Sequence, residues 1–545
     1  RAELARHTAA VAELFATLGD EDEGPPSEVV ALLRSGLDAD RERELLADLG
    51  FADPVRARDE LERARRKPMS PFHHAARGVA ARVAPGLLAE ISTSPDPDQA
   101  LHFVTDLIGR RGSWSALWGM FDQNPMLMRL IASLFGTSEF LSKTFVNHPE
   151  LIDTLLQTGR AQARANRKTL LSRLDSLMHR VDRDDPEQVW SALAELKQAQ
   201  VLRIGLADIG GTLEAEAVSS ELSILAEVVL EQALALVTDG MRERHGVARH
   251  DDGTPATMSV IAMGKLGARE LGYASDLDLI FVYSGDGESD GDRPLANVTY
   301  MTRVAQRLMG GLHALHPGGR LYEIDTRLRP EGSKGLLVSS LAGWEKYHQG
   351  AAALWERQAL IKLRPVAGDP NLGRRVANRA GRYAYGRAPG QDGSPTVDEI
   401  RERVRDMRDK IERELGSGDS YDLKAGRGGI IDVEFAAQYL QLVWGHDYKL
   451  LRCQGTVPAL RAAQQVGVLG RADADLMVDG YRFLRRIENR MRIVHDRSVH
   501  RLPHSGPQLE LLARRAGMAT GDELVRDCRR WMSALRDAYD RVTGG

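Results

Sequence analysis

Cysteine is almost missing from this chain: Cys453 and Cys528 are the only two among 545 residues. Two thiols build neither a disulfide framework nor a thiolate zinc site, so the sequence points to a reducing, cytoplasmic setting. Aromatic residues make up only 6%. Leu, Ala, Arg and Glu are abundant instead, which favours helices. No apolar run reaches the length of a membrane span, so no membrane is expected as a partner. Charge of either sign is also not in excess, with 73 basic against 77 acidic residues. No overall field therefore draws the chain to nucleic acid or an anionic surface. His-Glu-x-x-His and Gly-x-Ser-x-Gly are both absent, which leaves zinc peptidase and serine hydrolase chemistry unsupported. The chain opens on Arg1 rather than Met, in a helical rather than signal-like segment, and is expected to be a piece of a longer protein.

A length of 545 residues exceeds one ordinary core, and two to four domains are expected. Helical spacing runs from residue 1 to 18 and, after the acidic Pro-containing break at 19–26, through 41–49, 54–66, 71–83, 85–91, 97–109, 113–123, 125–134 and 148–156. It continues through 170–181, 186–209 and 215–245. The pattern changes at Met258. Short apolar runs at 258–263, 276–283, 320–325 and 335–339 read as strands. A helix is expected at 296–316, with Val304, Leu308, Leu312 and Leu315 on one stripe, and further helices at 341–349 and 353–363. Gly390 to Pro395 reads as a linker, followed by helices at 397–415 and 430–444 and onward to the end. The division is a helical region over 1–165, a mixed domain with a helical lead-in over 166–390, and a helical domain over 391–545. The fold class is α+β, a small mixed sheet embedded between all-helical regions.

The chemistry gathers around that sheet. Gly264-Lys-Leu-Gly267 is a tight turn that fits neither the P-loop nor the dinucleotide pattern. Its work is to bring backbone N–H groups and Lys265 against phosphate oxygens, unless it is merely a strand-to-helix turn. Ser275-Asp-Leu-Asp278 follows. In a strand, residues two apart share a face, so Asp276 and Asp278 project together among apolar neighbours. Their repulsion and desolvation are relieved most simply by a divalent cation such as magnesium, which commonly bridges carboxylates to substrate phosphates. The Gly turn, the connector and the Asp-x-Asp strand resemble the nucleotidyltransferase superfamily, which adds a third carboxylate from a neighbouring strand. Asp325 at the end of the 320–325 strand is the candidate, with Glu323 on the same face an alternative. Arg327 and Arg329 follow on an extended segment, placed for phosphate contact or for salt bridges to those carboxylates. The segment 355–364 reads as a surface ion-pair helix. In Lys424-Ala-Gly-Arg-Gly-Gly-Ile-Ile-Asp-Val-Glu434, Asp432 and Glu434 diverge on a helix. One of them faces the metal site, or both cap the helix start. The basic runs at 65–67 and 482–492 read as solvated faces.

Taken together, Gly264-Lys-Leu-Gly267, Ser275-Asp-Leu-Asp278, Leu321-Tyr-Glu-Ile-Asp-Thr-Arg-Leu-Arg-Pro330, Trp355-Glu-Arg-Gln-Ala-Leu360 and Lys424–Phe435 resemble, in order and spacing, the glutamine synthetase adenylyltransferase/adenylyl-removing family. The resemblance implies a magnesium-dependent nucleotidyltransferase that moves AMP from ATP to a tyrosine of glutamine synthetase, with a PII-type signal protein as a further partner. It assigns Asp276, Asp278 and Asp325 to catalysis and metal binding. Gly264, Lys265, Gly267, Ser275, Arg327, Arg329, Lys424 and Glu434 are assigned to the nucleotide. Full-length members carry two catalytic halves. The Glu-Leu-Gly-Tyr and Ser-Asp-Leu-Asp versions here look more like the C-terminal, adenylylating half, while Phe483–Asn489 resembles the removing half. Phosphorolytic removal of AMP, and a non-catalytic regulatory module, are the alternatives.

Overall fold

The computed structural model describes residues 25–34, 36–110, 114–148, 166–350, 352–386, 389–390, 394–415 and 421–544. The helix expected over 1–18, most of that over 148–156, most of the 19–26 break and the middle of the 390–395 linker lie outside the described residues.

The N-terminal helices begin where proline and a capping residue stand together. Asp96 caps Pro97–Gly109, its Oδ1 accepting from the Gln99 N–H at 3.1 Å, and Asn124 caps Pro125–Thr137 in the same way. Proline at the first helical position gives up an N–H that no intrahelical carbonyl would take. The two helices expected over 71–83 and 85–91 are instead one, Val79–Thr93, with Pro85 inside it. Proline removes a single helical hydrogen bond, and the buried stripe Val83, Leu87, Leu88, Ile91 carries the helix through it. Pro186–Ile209 and Ala215–His245 form as expected and pack on each other.

The sheet strands are β1 (Met258–Ala262), β2 (Leu277–Tyr283), β5 (Ile324–Asp325), β6 (Val338–Ser340) and β7 (Arg364–Gly368), while β3 (Leu315–His316) and β4 (Gly319–Arg320) form a separate hairpin. The order is β5-β2-β1-β7. β6 lies beside the C-terminal half of β2, and β5 beside its N-terminal end, both parallel. β1 is antiparallel to β2 and β7. The strand expected over 320–325 thus breaks into β4 and β5. The helix expected to 316 ends at His313, and Leu315, expected on its buried stripe, is exposed in the hairpin. β7 was not expected at all. Pro365 disfavours helix at its predecessor, so the segment leaves helix at Ala359, passes a 3₁₀ turn at Leu360–Lys362 and becomes a strand. β7 sits at the sheet edge, where proline is tolerated, and the register shifts beside Pro365.

Alternation along the strands divides two cores. Val260, Ala262, Leu279 and Phe281 join Val304, Leu308 and the N-terminal helices in one core. Ile261, Met263, Ile280 and Val282 face Trp344, Leu360, Leu372 and Val376 in another. A third core, from Leu354 to Tyr539, belongs to the C-terminal helices. The architecture is α+β, a small mixed sheet held between helical masses.

Candidate active site

The site starts from a close approach. Gly264, separated from the end of β1 by Met263 alone, takes φ +50°, and a Cβ placed there would lie 2.1 Å from Asp278 Oδ2. Gly267 is equally constrained, since its Cβ would fall 1.9 Å from the Lys362 carbonyl oxygen. The Gly264–Gly267 turn therefore lies flat between the β2 carboxylate and the 3₁₀ turn. Any side chain at either glycine would push the two apart.

Asp278 and Asp325 are register partners on parallel β2 and β5, so both carboxylates leave the same face of neighbouring strands. Asp276 stands two residues before Asp278, just outside β2. Like charges opposite each other destabilise a sheet, and the ionisation reflects it. Burial first, then the charges of Asp325 and Asp276, push the Asp278 carboxyl up to about 6 against the opposing pull of Lys424 and Lys362. Burial also works to raise Asp325, but Arg327 outweighs it and holds that carboxyl below its ordinary range. Arg327 Nε donates to both Asp325 oxygens (3.1 and 2.8 Å) and its backbone N–H to Oδ1 at 2.8 Å. Glu323, the alternative third carboxylate, turns away. It faces His313 Nδ1 at 2.8 Å and Arg320 at 3.5 Å.

Facing this acidic corner is a buried cationic wall supplied mainly by the C-terminal helices. Lys362 Nζ donates to Glu434 Oε2 at 2.9 Å and lies 3.5 Å from Glu270. Glu488, fully buried on the Arg471–His495 helix, meets Lys265 at 3.3 Å, Arg485 at 2.5 Å and Arg492 at 2.7 Å. Burial disfavours its charge, yet Lys265, Arg485, Arg492 and Lys424 together hold its carboxyl far below the usual range. Burial pushes Lys265 down to about 7, with Glu488 opposing. Arg492 Nη1 also donates to Ser275 Oγ at 3.2 Å, one residue before Asp276. The last long helices are thus tied to the loop that carries the first aspartate.

The expected residues divide accordingly. Gly264, Gly267, Ser275, Asp276, Asp278, Asp325 and Arg327 gather around the β2–β5 corner, and Lys265, Lys424 and Glu434 join the wall. Arg329 organises its own loop, donating to the carbonyls of Thr326, Ser333 and Gly335. Asp432 and Glu434 do diverge. Asp432 pairs with Arg408 and accepts from the Gly428 N–H at 2.7 Å, deep in the C-terminal core. Two expectations are overturned. The 482–492 run is not a solvated face, because Arg485, Glu488 and Arg492 are 3%, 0% and 2% exposed. In the other basic run, Arg65 is also buried, against Glu42 and Glu62. Nor is the 355–364 helix a surface helix. Glu356 is buried and accepts from Tyr347 Oη at 2.7 Å, and Gln358 donates to Gln438 at 2.6 Å. The sequence reading missed Lys362, Glu270, Arg485, Glu488 and Arg492. The signal was there: 485, 488 and 492 share a helix face with buried Leu484, Ile487 and Met491, so the charges stand inside an apolar stripe.

Among the described residues no three His, Cys, Asp or Glu side chains form a ready-made metal cage, and Arg327 occupies Asp325. The donor set is nonetheless one that suits a hard divalent cation: oxygen ligands throughout, with Asp278 left without an ion-pair partner among the described residues.

Residues 128–379 match the family model of glutamate–ammonia ligase adenylyltransferase, and residues 399–544 match that of GlnD PII-uridylyltransferase. The bifunctional glutamine synthetase adenylyltransferase/adenylyl-removing enzyme of Thioalkalivibrio sulfidiphilus is 34% identical over 91% of this chain and 53% of its own length. That of Xanthobacter autotrophicus is 32% identical over 96% of this chain and 52% of its own length. That of Nitrosococcus oceani is 36% identical, over 76% and 43%. The chain spans about half the length of the curated relatives it matches. In sequence, this chain is similar over most of its length to the bifunctional glutamine synthetase adenylyltransferase/adenylyl-removing enzymes.

Proposed function

We propose that the chain is a nucleotidyltransferase that moves AMP from ATP to a tyrosine hydroxyl of glutamine synthetase. The observation that carries this reading is the in-register pairing of Asp278 with Asp325 beside Asp276, against a glycine turn that no side chain can enter. Asp276, Asp278 and Asp325 would hold magnesium, which supplies charge neutralisation at the reacting phosphate. The Gly264–Gly267 turn and Lys265 cradle the triphosphate. Arg327, 81% exposed at its side chain, leaves Asp325 for a phosphate oxygen when the nucleotide arrives. That exchange uncovers Asp325 to take the tyrosine proton as the phenolic oxygen attacks the α-phosphorus. The bond from the α-phosphorus to the β-bridging oxygen breaks, and pyrophosphate leaves. Lys424, and Glu434 through Lys362, fix the far wall. Arg329 keeps the Arg327 loop in shape.

The division 1–165, 166–390 and 391–545 belongs to the same proposal, as do a PII-type signal protein as partner and a reducing cytoplasm suited to two unpaired cysteines. The match of 399–544 to a PII-uridylyltransferase model supports the signal-protein part. Transfer of label from α-labelled ATP to unmodified glutamine synthetase tests the reaction. Transfer that Asp278→Asn abolishes with helical content intact supports it. Phosphate-dependent ADP release from adenylylated synthetase, without forward transfer, replaces it with the removing reaction. Binding to the synthetase without turnover in either direction replaces it with a regulatory module.

A further inference from the structure

A cavity of about 690 Å³ lies apart from the carboxylate corner, where the N-terminal helices meet the last third of the chain. Pro95, Ser133 and Thr137 form one side, the 208–216 turn a second, and the outer face of the Arg471–His495 helix with the 514–517 turn the rest. Five arginines line it: Arg482, Arg486, Arg490, Arg514 and Arg515. Four carboxylates, Asp208, Glu214, Glu216 and Asp479, line it too, so the sign of the site depends on how these pair. Arg490 takes Asp208 at 2.9 Å, and Arg482 takes Glu216 and lies 3.9 Å from Asp479. Arg515 lies 3.5 Å from Asp96. Arg486 and Arg514 have no carboxylate partner among the described residues; Arg486 rests over the Phe483 ring. With Asp96 included, five carboxylates balance the five arginines, and Arg486 and Arg514 are the two guanidinium groups left without a carboxylate of their own among the described residues.

Two buried groups in the wall also lack a partner. The Arg515 side chain is 6% exposed and its Nε has no acceptor. Asn489 is 3% exposed and its Oδ1 has no donor. An unpartnered buried polar group costs about 1–3 kcal/mol; Asn489 Oδ1 is itself an acceptor, so the Arg515 Nε–H is the one of the two that an anion satisfies.

The floor of the cavity reaches the metal loop. Arg490 Nη2 donates to the Asp208 carbonyl at 2.9 Å, while Asp208 Oδ2 accepts from the Tyr273 hydroxyl at 3.0 Å. Tyr273 is buried and stands three residues before Asp276. Asn489 Oδ1 faces the Gly272 backbone at the distance of a contact, 3.1 Å from where a Cβ would be. An anion that draws Arg490 from Asp208 changes the carboxylate that accepts from the Tyr273 hydroxyl.

We propose that this cavity is an effector site for a small doubly charged anion, bound by Arg486, Arg514, Arg515 and Arg490, and coupled through Asp208 and Tyr273 to the loop carrying Asp276. Guanidinium forks suit carboxylates and phosphates alike, so the shared chemistry is a dianion with two acidic groups or one phosphate. Binding at the cavity does not depend on the proposed reaction; only the meaning of the coupling rests on that reading.

The test is calorimetric titration of the full chain with malate and, separately, with inorganic phosphate, in low salt with chelator present. One or both should bind the wild-type chain and Asp278→Asn equally, and at least tenfold more weakly the Arg486→Glu/Arg514→Glu double variant. Malate alone, or phosphate alone, identifies the source of the acid group. Arg486→Gln/Arg514→Gln keeps the side-chain stems and answers in the same way where charge reversal disturbs folding. Amide hydrogen exchange at residues 272–276 should change when the anion is added to wild type and stay unchanged in the double variant. No binding at millimolar concentrations, or equal binding by the double variant, overturns the site. Binding with no change in exchange at 272–276 overturns the coupling. Neither readout uses turnover, so failure of the AMP-transfer reading leaves both interpretable.

Discussion

Gly264→Ala is the sharpest perturbation the geometry offers. The added Cβ would lie 2.1 Å from Asp278 Oδ2 and 2.9 Å from its Cγ. Carbon–oxygen contacts relax only near about 3.3 Å, so turn and carboxylate must separate by roughly 1 Å. The backbone cost is smaller: φ is +50° at Gly264, a left-handed position that costs alanine about 1 kcal/mol. In a cooperatively unfolding domain of about 150–250 residues that lowers Tm by only about 2–4 °C. A misplacement of about 1 Å at reacting groups can lower turnover about 100-fold. The expected result is a loss of AMP transfer of about that size at saturating ATP with a melting curve close to wild type. Gly240→Ala is the control, since Gly240 lies inside the Ala215–His245 helix with nothing within 4 Å of its Cβ position. It should stabilise the chain by about 0.5–1 kcal/mol and leave transfer unchanged. Labelled AMP incorporation and thermal unfolding are measured side by side. Near-wild-type turnover in Gly264→Ala would refute the argument that the turn and Asp278 must touch.

Other perturbations separate the rest of the site from the scaffold. Glu488→Gln leaves Lys265, Arg485 and Arg492 without their buried carboxylate; urea unfolding should show a loss of about 3–5 kcal/mol, together with weaker ATP binding at neutral pH as Lys265 falls further below about 7. Asp432→Asn takes the buried carboxylate from Arg408, leaving it Glu412 at 3.5 Å and the Ala425 and Gly426 carbonyls, at a cost of up to about 3–5 kcal/mol, while the molecules that remain folded keep their ATP affinity; equal loss of affinity would put Asp432 at the site. His348, packed on Trp344 and Tyr383 with its buried Nδ1 unpartnered, is pushed down to about 4 by burial. Because its folded value lies below the unfolded 6.5, the unfolded chain binds the extra proton. Its stabilisation is therefore complete above the unfolded value and is lost as pH falls from there toward 4, by up to about 3 kcal/mol. His348→Phe should flatten that part of the stability–pH curve, and a variant as acid-sensitive as wild type would count against the assignment.

Much of the architecture was legible because it rests on local rules. The helices at 186–209 and 215–245 agree with the spacing, and β1 and β2 stand where the apolar runs put them. What was lost had contrary local signals. β7 contains Pro365, which a strand accepts only because it lies at the edge. Pro85 suggested a break that the buried stripe around it overrides. The third strand dissolved because only Ile324 and Asp325 pair with β2.

The site was legible in one half and hidden in the other, and the reason is physical. Asp276, Asp278, Asp325 and Gly264 lie within a stretch of about sixty residues, and the period-2 rule alone brings two of the carboxylates together. The wall opposite is built from Lys362, Lys424, Glu434, Arg485, Glu488 and Arg492, which reach the turn only through tertiary packing. A run such as 482–492 reads as solvated because charged residues are almost never fully buried unless paired. Here the pairs are made across the seam: Glu488 needs Lys265, more than two hundred positions away, and Arg492 needs Ser275. A charge placed inside an apolar helical stripe costs stability when it stands alone, so Arg485, Glu488 and Arg492 on one buried face already required partners of the opposite sign. Glu488 sits between the two arginines and still draws on Lys265. Its surroundings carry more positive charge than it neutralises, with Lys424 close enough to affect both Lys265 and Glu488. These cations stand close to the Asp278 carboxylate, which has no ion-pair partner of its own among the described residues. The proposed substrate, a nucleotide phosphate chain with a bound cation, would satisfy both at once.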